Sequence, residues 1–161
     1  MTANTSFVDR LRPLLADRSV GEQLYVIALL ESRSAERYRE WAEQVAGEDL
    51  VHGLRRCAER EDIIAAQIRT RFKETLEQPT DFEQLLRRIQ AEVVAIFGGR
   101  SREEQFEIQA QAERGGERLW NDLAAAESDA GTKAMLLECA ALEAGSAEFL
   151  ESLGAAATAR R

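Results

Sequence analysis

Apolar residues recur along most of this chain at spacings of three and four, the period of one helix face. From Leu54 to Ile68 the stripe is Leu54, Cys57, Ala58, Ile64, Ala65 and Ile68, and Glu61 sits in the middle of it. A buried, unpaired carboxylate is costly and calls for protonation, a cation or hydrogen bonds. The same anomaly appears three more times. Glu31 interrupts a stripe of Leu24, Ile27, Ser34 or Ala35, Tyr38, Trp41 or Ala42, and Val45. Glu113 lies among Phe106, Ala110, Gly116 or Glu117, Trp120 and Leu123, and Glu143 among Leu136, Cys139, Ser146 or Ala147, Leu150 and Leu153.

These stripes predict four long helices. Ser19 to Glu22 matches a capping box and opens the first, over about Val20 to Val45. Ala46 to Asp49 is a short break, which implies an antiparallel neighbour. The second helix is expected over about Leu50 to Leu76, stopped by Pro79. Thr80 to Glu83 and Ser101 to Glu104 match two further capping boxes. The first of these opens a middle helix with Phe82, Leu85, Leu86, Ile89, Val93 and Ile96 on one face, ended by Gly98-Gly99. The second opens the helix that carries Glu113. The last long helix follows Ser128 to Thr132. A short N-terminal helix is expected within Thr5 to Asp17, interrupted near Pro13, and the tail Ala155 to Arg161 is expected to fray.

The two halves of the chain echo one another. Glu113 follows Glu31 by 82 positions, and Glu143 follows Glu61 by 82. At that offset Leu54 meets Leu136, Cys57 meets Cys139, Ala58 meets Ala140, Ala65 meets Ala147 and Tyr38 meets Trp120. The fold expected is all-α, one domain over 1–161. It is a four-helix bundle of two helical hairpins, about 20–78 and 101–154, with the middle helix as crossover. Each hairpin delivers two acids to mid-bundle.

Composition agrees. Hydrophobic residues are 45% of the chain and charged residues 31%, with only two prolines. A net charge of −8 argues against nucleic acid and anionic membrane as partners. The longest apolar run, Leu24 to Leu30, is far too short to cross a bilayer. Two cysteines with no evident secretory signal predict reduced thiols in the cytoplasm.

No Lys or Arg occupies the stripes beside the acids. Two divalent cations would neutralise four carboxylates, and oxygen ligands suit hard ions such as iron(II) or manganese(II). The alternative is that the acids are half-exposed, or protonated and paired with one another. Gly115-Gly116 beside Glu113, and Gly145 beside Glu143, suggest close helix approach, a bulge, or room for a small ligand. His52 stands two and a half turns before Glu61 and points to the opposite, solvent side.

In its four long helices and their acids the chain resembles the ferritin-like superfamily, and rubrerythrin-type di-iron carboxylate proteins most closely. In that family the first and third helices each give a Glu, and the second and fourth each give Glu-x-x-His. The resemblance implies Glu31, Glu61, Glu113 and Glu143 as metal ligands, with Tyr38 and Trp120 lining the site. Both histidines are replaced, by Ile64 and by Ser146. An all-carboxylate site is expected to bind metal more weakly and to favour harder ions. The resemblance also implies that Cys57 and Cys139 lie on opposite sides of the acid layer, roughly 12 Å apart and beyond disulfide reach. They are either small buried hydrophobes or thiols level with the lost His positions.

Two functions follow. One is a metal-binding protein, with oxygen- or peroxide-linked oxidation implied by the resemblance. The other is a metal-free helical scaffold or interaction module, its acids neutral and paired, acting through a surface or as a homodimer.

Overall fold

The computed structural model describes residues 7–158. It contains six helices among the described residues: α1 (Phe7–Leu15), α2 (Val20–Gln44), α3 (Glu48–Arg71), α4 (Phe82–Phe97), α5 (Arg102–Ala126) and α6 (Ala130–Thr158). Helices α2 and α3 form one antiparallel hairpin, α5 and α6 the other, and α4 is the crossover between them. Arg39 meets Asp62 and Arg69 meets Ser32 across the first hairpin. Arg114 meets Glu151 and Trp120 meets Glu143 across the second. Gln67 reaches Glu138 and Arg71 reaches Thr132, so α3 and α6 also run antiparallel. Helices α3 and α5 are therefore parallel, as a long crossover permits.

Two of the three expected capping boxes form. Ser19 with Glu22 and Ser101 with Glu104 each satisfy two amide donors reciprocally. The Thr80 to Glu83 box does not form. Asp81 is the residue before α4, and it makes no cap hydrogen bond. Its carboxylate instead takes both arms of the Arg18 guanidinium, each at 2.8 Å. That bidentate pair ties the loop before α4 to the start of α2.

Other boundaries also shift. Helix α1 runs through Pro13 to Leu15 and is not interrupted there; Thr5 lies outside the described residues. Helix α3 ends at Arg71, and Phe72 to Thr75 continue as turns. Asp129 accepts the Thr132 amide at 2.8 Å and starts α6 earlier than expected. The tail remains helical to Thr158, with 159–161 outside the described residues.

Two of the three apolar core clusters lie at opposite ends of the bundle. One contains Tyr38, Ala42, Leu54, Cys57, Ala58, Phe106, Ala110 and Leu150. The other contains Trp120, Ala124, Leu136, Cys139, Ala140, Leu24, Ala28 and Ile68. Each of these eight residues of the first has its counterpart 82 positions away in the second, so much of the interior at the two ends is matched. The acid layer lies between them. A third cluster, Leu11, Val26, Leu85 and Ile89, fastens α1 and α4 to a second face of α2. One expected stripe position faces outward: Leu123 is exposed, and Ala124 beside it is buried instead. The registers of α5 and α6 make the choice, because Ala124 points at Leu136 and Ala140.

Candidate metal centre

The acid layer is built by one Glu from each long helix. Glu61, Glu113 and Glu143 are buried, and Glu31 is half-buried. Among the described residues, one carboxylate oxygen each from Glu31, Glu61 and Glu143 lie within 4.8 Å of one another. Glu113 is not part of that group. Its Oε1 accepts from Tyr38 Oη at 2.8 Å and from Gln109 Nε2 at 2.6 Å, which draws it toward the α2–α5 contact. The structure thus gathers three of the four expected acids and places the fourth at their edge.

The carboxyls face one another more than they face any cation. Glu31 contacts Glu61 carboxyl to carboxyl, and Glu113 contacts Glu143 in the same way. Each contact needs a shared proton to be attractive. No ion pair reaches any of the four among the described residues. Burial, reinforced by the neighbouring carboxyls, pushes Glu61 and Glu143 well above the ordinary carboxylate range. Burial raises Glu31 to about 7, held back in part by its contact with Glu61. Glu61 Oε1 and Glu113 Oε2 are buried and receive no amide, hydroxyl or amine donor.

A basic group does stand nearby, contrary to the reading of the stripes alone. Arg37 lies off the α2 stripe. Its guanidinium donates to Gln109 Oε1 at 2.8 Å and stacks over Phe97 at 4.3 Å. Gln109 thereby relays Arg37 to Glu113 without a direct ion pair. Gln109 is 3% exposed and falls four residues before Glu113 on the same face. That spacing is the signal by which the sequence could have exposed it.

The expected site-lining residues fall into place unevenly. Tyr38 and Trp120 both touch acids: Trp120 Nε1 donates to Glu143 Oε1 at 3.0 Å. Ile64 and Ser146, at the two positions where the resembling family has His, are fully buried. Ile64 packs with Cys139 in one apolar cluster. Cys57 lies beside Ser146, whose hydroxyl lacks a hydrogen bond of full geometry. The two thiols therefore sit in opposite clusters, each level with the other helix's replaced position. Both are free and buried. Burial pushes Cys57 up to about 11 and Cys139 to about 12, so both are neutral thiols near pH 7. His52 is exposed on α3, as its position relative to Glu61 demands.

The mid-helix glycines make room. A Cβ on Gly116 would stand 2.4 Å from Glu143 Oε1, so the Glu143 carboxyl rests directly on the α5 backbone. A Cβ on Gly115 would meet Val8 of α1 at 2.6 Å, and one on Gly145 would meet the Arg60 guanidinium at 3.1 Å. Glu117 pairs with Arg114 at 2.8 Å and does not turn inward.

Three converging carboxylates and two unsatisfied buried oxygens fit a hard divalent cation. They do not fit a pair of ions each held by a histidine, because Ile64 has no donor atom. No helix among the described residues is long and apolar enough to cross a membrane. Comparison with family models, with curated proteins and with solved structures finds no match.

Proposed function

We propose that this protein binds a divalent metal ion, manganese(II) or iron(II), at mid-bundle through Glu31, Glu61 and Glu143, with Glu113 as an adjacent fourth carboxylate. The observation that carries this reading is the approach of three carboxylate oxygens to within 4.8 Å in a layer that no ion pair among the described residues reaches. Like charges so placed repel unless a proton or a cation lies among them. When bound, such an ion supplies Lewis-acid chemistry and, for iron, one-electron chemistry with oxygen or peroxide. The resemblance to rubrerythrin-type proteins supports that oxidative activity. The chain's own residues would hold and orient the site: Tyr38 and Gln109 fix Glu113, Trp120 fixes Glu143, and the apolar clusters cover the layer above and below.

A second reading has its own support. The carboxyl-to-carboxyl contacts Glu31–Glu61 and Glu113–Glu143 suit shared protons in a metal-free bundle that serves as a scaffold. Elemental analysis of the purified protein, with thermal midpoints measured in EDTA and then in added Mn(II) or Fe(II), separates the two. Bound metal, or a midpoint raised by metal and lowered by chelator, supports the first. No bound metal and no response supports the second.

A further inference from the structure

The acid layer is not sealed. A cleft of about 480 Å³ opens between α1, α2 and α5 and ends on Glu31, Glu61, Glu113 and Glu143. A bound ion needs far less space, since one water occupies about 30 Å³ of liquid. The volume falls within the range of pockets that hold small organic molecules, about 300–1,000 Å³. Its walls are mainly apolar: Phe7, Leu11 and Leu15 from α1, Ile27 and Leu30 from α2, and Leu119 from α5. At its mouth two bases, Arg12 and Arg118, are matched by two acids, Asp9 and Asp122. The charged groups on the floor are the four acids, with the neutral Ser34 and Gln109 beside them. Helix α1 forms one wall because Gly115 lets Val8 approach the α5 backbone.

Each part of the cleft restricts its occupant. The apolar walls favour a hydrocarbon chain. The floor disfavours a carboxylate or phosphate, and a neutral hydrocarbon would leave Glu61 Oε1 and Glu113 Oε2 buried without a donor. Both of those side chains are almost wholly buried, at 1% and 2% exposed, and both line the cleft. A primary ammonium carries one positive charge and three donors. We propose that the cleft binds a small alkylammonium ion, its head among the four carboxyls and its chain along α1, Ile27, Leu30 and Leu119. The head occupies the same acids as the metal, so the two cations compete.

The test uses the full chain freed of metal with chelator, and hexylamine as probe, with hexanol and hexanoate as matched controls. Hexylamine at tenfold excess over its Kd raises the thermal midpoint by about 4 °C. Hexanol and hexanoate leave it unchanged. Leu119→Trp fills the cleft at a position already 38% exposed, where folding tolerates the change. That variant loses the hexylamine shift and keeps the wild-type response to Mn(II). The proposal is overturned by no hexylamine shift in the wild type, by an equal shift with hexanol, or by an undiminished shift in Leu119→Trp. An amine response without any Mn(II) response leaves this proposal standing and removes the metal reading. A Mn(II) response without an amine response does the reverse.

Discussion

Tyr38 and Trp120 occupy equivalent positions in the two halves, yet both hydrogen-bond to carboxyls of the second half. Tyr38 crosses from α2 to Glu113 on α5, whereas Trp120 donates to Glu143 within its own hairpin. The acids of the first half, Glu31 and Glu61, are left to each other. The near-symmetry of the interior is thus broken at the acid layer, and Tyr38 is the residue that breaks it.

Tyr38→Phe removes one of the two donors to Glu113 without changing the packing volume much. A buried acceptor stripped of a donor costs about 1–3 kcal/mol. Urea unfolding at pH 6 should show a loss of that size. A loss below about 0.5 kcal/mol would show that Gln109 alone satisfies Glu113.

Stability without metal should depend on pH in a defined direction. Glu31, Glu61 and Glu143 hold protons more tightly folded than unfolded. Their contribution is complete below the ordinary value of 4.5. It is lost as pH rises through about 7 for Glu31 and at higher pH for the other two. Each carboxyl that keeps its proton in the fold but loses it on unfolding adds a slope of roughly 1.4 kcal/mol per pH unit. Asp81, Glu104, Asp129 and Glu151 act oppositely: their hydrogen bonds to Arg18, Ser101, Thr132 and Arg114 depress them, and that support is lost as pH falls below the ordinary range. The optimum in EDTA should lie near pH 5. Urea midpoints from pH 4 to 8 check this, and a flat or rising profile from 5 to 8 contradicts it. Added Mn(II) should restore stability most strongly at pH 8, where protons compete with it least.

Glu61→Gln separates charge from shape. The amide keeps the volume, offers donors to Glu31, and cannot ionise. Without metal, the variant should match or exceed the wild type at pH 8 and show a shallower pH slope. Its Mn(II) affinity, read by titration calorimetry, should fall at least tenfold. Unchanged affinity would remove Glu61 from the ligand set.

Gly116→Ala should uncouple the site from the fold. The added methyl meets Glu143 Oε1 and forces the carboxyl off the α5 backbone. Alanine favours the helix by about 1 kcal/mol, which offsets part of the strain. Global stability should change by less than about 1 kcal/mol, while the Trp120–Glu143 hydrogen bond is lost. A changed tryptophan emission together with weaker Mn(II) binding is the expected signature. Wild-type metal affinity in this variant would place Glu143 outside the site.

Much of this architecture is legible in the sequence, and the reasons are physical. Burying apolar residues on a helix imposes a period near 3.6, so Leu54, Cys57, Ala58, Ile64, Ala65 and Ile68 announce their face. A carboxylate inside such a face is too costly to be incidental, which makes Glu31, Glu61, Glu113 and Glu143 visible. The rest depends on contacts that periodicity does not encode. Val26 is fully buried, but on a second face of α2 covered by α1 and α4, and a helix contacted on two sides has no single stripe. The withdrawal of Glu113 is a side-chain choice made by Tyr38 and Gln109. The capping box expected from Thr80 does not form because α4 starts one residue later, after Asp81, and the Asp81 carboxylate is claimed by Arg18, 63 residues away. The cleft over the acids exists because α1 docks on Gly115, a contact between distant parts of the chain.

The matched ends of the interior give this molecule a property useful at the bench. A truncation at Leu54 has an internal control at Leu136, and one at Cys57 has its control at Cys139. Each pair shares residue type, depth and helix position but differs in partners, with Phe97 of α4 packed at one end and Phe72 and Leu76 at the other. Whatever separates the two measured costs within a pair reports that difference alone, so a single polypeptide serves as both specimen and calibration standard.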